Sequence, residues 1–130
     1  MAEKFIAGTE VTAPVLDSQA LPVIEIVPRS AFYDFKAKYA KGGSEHVLPA
    51  RISQKATQEV KRFALSAHRA LGCRAYSRSD FIVDRAGKPH FLEINTVPGM
   101  TETSLFPESA KAAGYSFPEM ILKVIGLSKS

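Results

Sequence analysis

His90-Phe91-Leu92-Glu93-Ile94-Asn95-Thr96-Val97-Pro98-Gly99-Met100-Thr101 is an apolar strand that turns polar and then breaks at Pro-Gly. Side chains two residues apart on a strand share a face, so Glu93 and Asn95 point the same way. A carboxylate and an amide are hard oxygen donors of the kind that suit a divalent cation such as Mg²⁺. The break that follows leads into Thr101 and further hydroxyl-bearing residues.

Working outward, residues 74–84 read as the partner strand, joined to residues 88–95 around Arg85-Ala86-Gly87-Lys88. With these four residues as the loop, Asp84 falls opposite Pro89, Asp80 opposite Glu93 and Arg78 opposite Asn95. Opposed side chains have Cβ atoms roughly 4.5–5.5 Å apart, and like charges placed there are destabilising. Two facing carboxylates therefore call for a cation or for water between them. Phe81, Leu92 and Ile94 would point to the other face, into a core. A slip of one residue would separate Asp80 from Glu93 and remove the site. Any one of these acids could be part of a solvated sheet edge. Four polar groups on one face beside a Pro-Gly turn favour a site. A cation held by two carboxylates and an amide, with an Arg beside it, fits a triphosphate and phosphoryl transfer. No Walker-type glycine-rich loop is present, so a nucleotide site here is of another kind.

The rest of the chain supplies elements to carry that hairpin. Residues 3–6 and 11–16 read as short strands around Gly8-Thr9-Glu10, and Leu21 to Val27 as another, with a turn at Asp17-Ser18-Gln19-Ala20. Residues 34–46 have no clear period and read as a long surface loop. Composition allows either a functional lid or a solvated connection. Ser53 caps a helix that runs to about Leu71 and stops at Gly72. Ala56, Val60, Phe63, Ala67 and Leu71 are its apolar positions. His68 reads as a surface or boundary residue, and Cys73 as a small buried residue. Ser104 to Ala113 is helical up to Gly114. Ser116-Phe117-Pro118-Glu119 then has capping-box spacing before a helix through Met120, Ile121, Val124 and Ile125. The pattern is an α+β fold of the α/β sandwich type, a mostly antiparallel sheet packed against helices.

The bulk numbers bound the function. The 130 residues form one domain, with 45% hydrophobic and 23% charged residues, an ordinary globular balance. No apolar run is long enough for a membrane span, and residues 1–5 lack the pattern of a signal peptide. A lone Cys73 forms no internal disulfide, which fits a reducing, cytoplasmic setting. Net charge is +4, but the basic residues are scattered. No nucleic-acid partner is expected, and a small phosphorylated ligand is favoured.

The same residues carry a resemblance. The chain resembles the C-terminal part of the D-alanine–D-alanine ligases, in the ATP-grasp superfamily. The matching segments are Glu3-Lys4-Phe5-Ile6 with Gly8 and Glu10, Leu21-Pro22-Val23-Ile24-Glu25-Ile26, Phe32-Tyr33-Asp34-Phe35-Lys36-Ala37-Lys38-Tyr39 and Pro49-Ala50. Leu71-Gly72-Cys73, Arg78-Ser79-Asp80-Phe81, Leu92 to Thr101 and Ser104-Leu105 follow in family order. Ser79 stands where an apolar residue is usual.

The resemblance implies ATP with Mg²⁺ or Mn²⁺ as cofactors and two D-alanines as substrates, joined through an acyl phosphate for peptidoglycan synthesis. It implies that Glu3, Lys4, Phe5 and Ile6 line the adenine pocket, that Glu10 holds the ribose and that Lys38 lies near the phosphates. Asp80, Glu93 and Asn95 would bind the metal. Arg78 would stabilise the acyl phosphate and tetrahedral intermediate, with the Gly99 backbone in an oxyanion site. Tyr33, Lys38 and Tyr39 would belong to a closing omega loop. Tyr39 is of the type that goes with D-alanine rather than D-lactate. Ser104 and Leu105 would contact the second D-alanine. Family members also carry an N-terminal domain and a central lobe that have no counterpart in these residues. Met1-Ala2 opens in what is mid-strand for the family, so a truncated or engineered start is expected. The 130 residues alone are then expected to be inactive, with the missing lobes or a homodimer as partners. Two alternatives stay open: a non-catalytic module that only folds or binds nucleotide weakly, and another ATP-grasp carboxylate–amine ligase.

Overall fold

The computed structural model describes residues 4–28 and 44–129. The expected omega loop, with Tyr33, Lys38 and Tyr39, lies outside the described residues, as does Glu3. Among the described residues six strands form one antiparallel sheet. They are β1 (Gly8–Leu16), β2 (Gln19–Ala20), β3 (Ile24–Pro28), β4 (Ser44–Val47), β5 (Tyr76–Asp84) and β6 (Pro89–Asn95). The order across the sheet is β4-β3-β1-β5-β6, and β2 pairs the end of β1. Three helices accompany it among the described residues: α1 (Gln54–Ala70), α2 (Leu105–Ala112) and α3 (Phe117–Ser128). This is the expected α+β arrangement. No helix among the described residues is long and apolar enough to cross a membrane.

β1 is the central strand and pairs β5 over all nine of its positions, Gly8↔Asp84 through Leu16↔Tyr76. It replaces the two shorter strands expected around Gly8-Thr9-Glu10, and residues 4–7 are not strand. A side chain at Gly8 would put its Cβ 2.2 Å from the Val83 carbonyl oxygen, so the bare backbone is what lets β1 begin there. Pro14 is tolerated mid-strand because it falls between the β3 pairing at Val11 and Thr12 and the β2 pairing at Val15 and Leu16. Leu21 N–H donates to its carbonyl at 2.8 Å. The expected strand from Leu21 starts later, at Ile24. β4 corrects the reading of residues 34–46 as loop: from Ser44 the chain pairs β3 as a short edge strand.

The two faces of the sheet are built differently. Val11, Ala13 and Val15 of β1, with Phe81 and Val83 of β5, pack under Ala56, Val60 and Ala64 of α1. α1 starts where expected, with the Ser53 hydroxyl accepting from Ala56 N–H at 3.0 Å, and ends before Gly72 at φ +67°. Its buried face differs from the one read off the sequence. Ala56, Val60, Ala64 and His68 are buried, while Phe63 is exposed beneath the Arg62 guanidinium and Leu71 is exposed. His68 is therefore a core residue, with Nδ1 2.7 Å from Ser77 Oγ. Ser77 and Ser79 are also buried on this face, and the Ser79 hydroxyl has no hydrogen-bond partner among the described residues. Cys73 is only half-buried, because it follows the helix stop at the edge of the packed face.

On the opposite face, Leu16 and Leu21 pack with Phe106, Ala110 and Met120 of α2 and α3. Tyr76, paired with Leu16, meets Phe106 edge-on at 5.6 Å. Both sides of the capping box at Ser116 form as expected. These two helices occupy the Leu16–Tyr76 end of that face. Further along the same face, from Thr12 to Gly8, lie the residues of the candidate site.

Candidate functional site

Strand parity places Glu10 and Thr12 of β1 and Arg78, Asp80 and Ile82 of β5 on one face. β6 completes it: Arg78 pairs Asn95 and Asp80 pairs Glu93, as counted from the sequence. The turn is not as counted. Asp84 N–H bonds to the Lys88 carbonyl at 3.0 Å, so the loop holds three residues, with Gly87 at φ +84°. Val83, not Asp84, then faces Pro89. A bulge between Asp80 and Phe81 shifts the register back. Leu92 is the extra residue and is exposed instead of entering the core, while Phe91 stacks edge-on against Phe81 at 5.6 Å. A bulge is a common way to re-aim side chains beside a site.

Asp80 is the best-held group here. Its Oδ1 accepts from the Thr12 hydroxyl at 2.6 Å and from Arg78 Nε at 3.3 Å, and its Oδ2 accepts from an Arg78 terminal nitrogen at 3.4 Å. Glu93 directly opposite is exposed and has no hydrogen bond or ion pair to its carboxylate among the described residues. The Asn95 side-chain oxygen accepts from Val97 N–H at 2.9 Å, which turns the chain out of the strand and leaves the oxygen a second lone pair. Glu10 is exposed as a residue, but partial desolvation of its carboxyl group, and then the Asp80 charge, raise its pKa above the ordinary value. No group of three or more His, Cys, Asp or Glu able to hold a metal is present among the described residues. The candidate set is two carboxylates and an amide. Its hard oxygen donors, and the facing charges of Asp80 and Glu93 that Arg78 offsets only in part, fit a Mg²⁺-class cation.

Phe5, Ile6 and Glu10 line a cleft of about 360 Å³ with Gly8, Ile26 and Ile82. Lys4 lies in a neighbouring depression of about 500 Å³ with Phe5, Arg85 and His90. There the Asp84 carboxylate accepts from Ala86 and Lys88 N–H, both at 2.9 Å, and lies 2.8 Å from His90 Nε2. The His90 hydrogen bond, followed by those from the backbone, lowers the Asp84 pKa. Another depression, of about 670 Å³ and lined by Thr103, Glu108, Lys111 and Phe117, shares no residue with the carboxylate face.

Beyond Asn95 the structure gathers Gly99, Thr101 and Ser104. Ser104 is the N-cap of α2 by position but makes no capping side-chain bond. Its Oγ instead accepts from Thr101 N–H at 3.2 Å and lies 2.6 Å from Thr101 Oγ1. Gly99 leaves that hydroxyl its space, since a Cβ there would come within 3.0 Å of Ser104 Oγ. Met100 packs on the Leu16–Phe106 core, and Leu105 opens α2. Thr12 was not singled out in the sequence, and Thr101 was given no role there. Thr12 stands two residues from Glu10, which places it on the same face, but its pairing with Asp80 spans strands far apart in the chain.

Known proteins share this sequence and this fold. Residues 1–126 match the family model described as the D-ala D-ala ligase C-terminus. A D-alanine–D-alanine ligase from Pelotomaculum thermopropionicum is 51% identical over 98% of this chain and 41% of its own length. One from Halalkalibacterium halodurans is 53% identical over 98% of this chain and 44% of its own. Among solved structures, the ligase from Bacillus anthracis complexed with ATP matches with a TM-score of 0.82 at 32% identity, over 97% of this chain and 40% of that one. A D-Ala:D-Ser ligase from Enterococcus faecalis matches with a TM-score of 0.77 at 36% identity, over 95% of this chain and 37% of that one. The chain thus spans about two fifths of the length of these relatives. With its carboxylate–arginine face built on the sheet that those ligases share, the chain belongs to the D-alanine–D-alanine ligase family and corresponds to its C-terminal part.

Proposed function

We propose that these residues form one wall of an ATP- and Mg²⁺-dependent active site that joins two D-alanines for peptidoglycan synthesis in the cytoplasm. The observation that carries the reading is the pairing of Asp80 with Glu93 beside the pairing of Arg78 with Asn95, on one open face. On this reading Phe5 and Ile6, with Glu3 and Lys4, take the adenine, Glu10 takes the ribose and Lys38 lies near the phosphates. Asp80, Glu93 and Asn95 would hold Mg²⁺ or Mn²⁺. Bound there, the metal would supply charge to offset the phosphate oxygens.

The carboxylate of the first D-alanine takes the γ-phosphoryl group of ATP and releases ADP. The amine of the second attacks the acyl carbon, phosphate leaves and a proton is lost from nitrogen. Arg78 is close enough to the cation ligand Asp80 to stabilise the anionic groups of both steps, together with the Gly99 backbone. Ser104 and Leu105 would contact the second D-alanine, Tyr33 would be a further substrate-binding residue, and Tyr39 and Ser104 would count among the catalytic residues. Partners are ATP, D-alanine and the remaining lobes of the ligase, with self-association through exposed apolar side chains such as Phe5 and Val97 as a further part of the proposal.

Positioning supplies much of the rate in a two-substrate reaction. Residues 1–130 by themselves are therefore expected to bind nucleotide weakly and to show no D-alanine-dependent phosphate release. Calorimetry with ATP and Mg²⁺ tests the site: binding should be present in the wild type and lost in Glu93→Ala. Equal binding by both would refute the assignment, and no binding by either would favour a purely structural module.

A further inference from the structure

We infer that Thr12 is a positioning residue, whose hydroxyl fixes the Asp80 carboxylate against the cation side of the site. The inference rests on the proposed role of Asp80 as a metal ligand. Thr12 is fully buried on the central strand and directly opposite Asp80. As a β-branched residue in a strand paired on both sides, it has little χ1 freedom. Its Oγ1 lies 2.6 Å from Asp80 Oδ1, in the range of a charge-assisted O–H···O⁻ bond. The alternative acceptor, the Ser79 carbonyl, lies at 3.4 Å, so the single hydroxyl proton belongs on Asp80.

Arg78 is a poorer anchor. Both of its contacts to Asp80 are long, at 3.3 and 3.4 Å. An arginine proposed to follow an anionic intermediate must also be able to shift toward it. Thr12 has no such second task. When Arg78 turns to the substrate, Thr12 keeps Oδ1 fixed and Oδ2, whose partner is Arg78, becomes available to the cation. Partners of metal ligands in this position commonly change metal affinity ten- to a hundredfold.

The test compares Thr12→Val, nearly isosteric but without the hydroxyl, with Thr12→Ser, which retains it. Two readouts are taken on the full chain: NMR couplings that report the χ1 angle of Asp80, and Mn²⁺ affinity measured with and without ATP. One Asp80 rotamer is expected in the wild type and Thr12→Ser, and averaging in Thr12→Val. Mn²⁺ binding should weaken by about tenfold in Thr12→Val and recover in Thr12→Ser. A single rotamer with unchanged affinity in Thr12→Val would overturn the inference. Averaging in Thr12→Val, with no Mn²⁺ binding even by the wild type, would sink the metal assignment and leave the positioning role intact. Should Thr12→Val not fold, Thr12→Ala against Thr12→Ser makes the same comparison, since both lose the methyl group and only Ser keeps the hydroxyl.

Discussion

Replacing Glu93 by Gln should raise the stability of this protein without a divalent cation and lower its stability relative to wild type with one. Asp80 and Glu93 are directly paired across β5 and β6, and such pairs have Cβ atoms about 4.5–5.5 Å apart. Two charges about 5 Å apart repel by ~0.8 kcal/mol in bulk water and ~3 kcal/mol at an effective dielectric of about 20. Glu93 is exposed and Arg78 already offsets part of the Asp80 charge, so the lower end applies. About 0.5 kcal/mol is expected, within the cross-strand range of roughly 0.2–1 kcal/mol. For a chain of this size that is a rise in Tm of about 2 °C, best seen at low ionic strength. Mg²⁺ at about ten times its Kd would stabilise the wild type by ~1.4 kcal/mol. Losing one ligand charge should weaken binding by about tenfold, which leaves the variant a gain of only ~0.4 kcal/mol. The order of the two melting curves should therefore reverse between EDTA and Mg²⁺. Scanning calorimetry of both proteins in the two buffers is the assay. A Glu93→Gln variant that melts at or below wild type in EDTA and responds to Mg²⁺ in the same way would refute the argument that this pair awaits a cation.

Two further outcomes follow from the packing. Burial lowers the His68 pKa below 6.5, the Arg69 charge adds to this, and the backbone and charge of Asp17 oppose it. The unfolded chain then takes up that proton more readily, so stability is full above about pH 6.5 and is lost as pH falls toward the folded pKa. Urea midpoints at pH 7.5 and 5.5 should show a drop in the wild type and a smaller drop in His68→Gln, and equal drops would exclude His68 as the source. Gly8→Ala and Gly99→Ala should differ in kind. A Cβ at Gly8 meets the Val83 backbone at 2.2 Å, which should cost about 1–3 kcal/mol, whereas at Gly99 it meets the movable Ser104 hydroxyl at 3.0 Å. Thermal melts should separate Gly8→Ala from wild type, while Gly99→Ala should stay within about 0.5 kcal/mol and shift the Thr101 amide resonance. A Gly8→Ala variant as stable as wild type would contradict the close approach of β1 and β5.

Much of the fold was legible where the signal is local. β5 and α1 carry regular periods, and both capped helices begin at the serines that the sequence marks. What stayed hidden depends on distant partners. β4 is four residues, Ser-Glu-His-Val, with no alternation, and it is a strand because β3 offers an edge. Gly8 to Glu10 join β1 only because β5, more than seventy residues later, lies alongside. His68 sits on a polar-looking turn of α1, and its burial follows from small residues at Ala56 and Ala64, which draw the helix onto the sheet along a face shifted from the apolar stripe.

The site register was legible for a subtler reason. The loop is one residue shorter than the sequence count assumed, and the bulge at Asp80/Phe81 supplies one residue more, so the two departures cancel at Asp80 and Glu93. The cancellation has physical content. Without the bulge, the three-residue turn would pair Asp80 with Leu92 and place Glu93 on the opposite face of the sheet. The bulge instead pushes Leu92 toward solvent, keeps Phe91 on buried Phe81 and brings Glu93 across from Asp80. It thus exposes an apolar side chain and creates a like-charge pair, two local losses for the hairpin. The nine-position pairing of β1 with β5 and the core beneath α1 are strong enough to carry them. Local losses of this kind, held in place by a well-packed scaffold, are characteristic of functional sites. The bulge therefore belongs to the proposed site as much as the carboxylates do, because it determines which face Glu93 occupies.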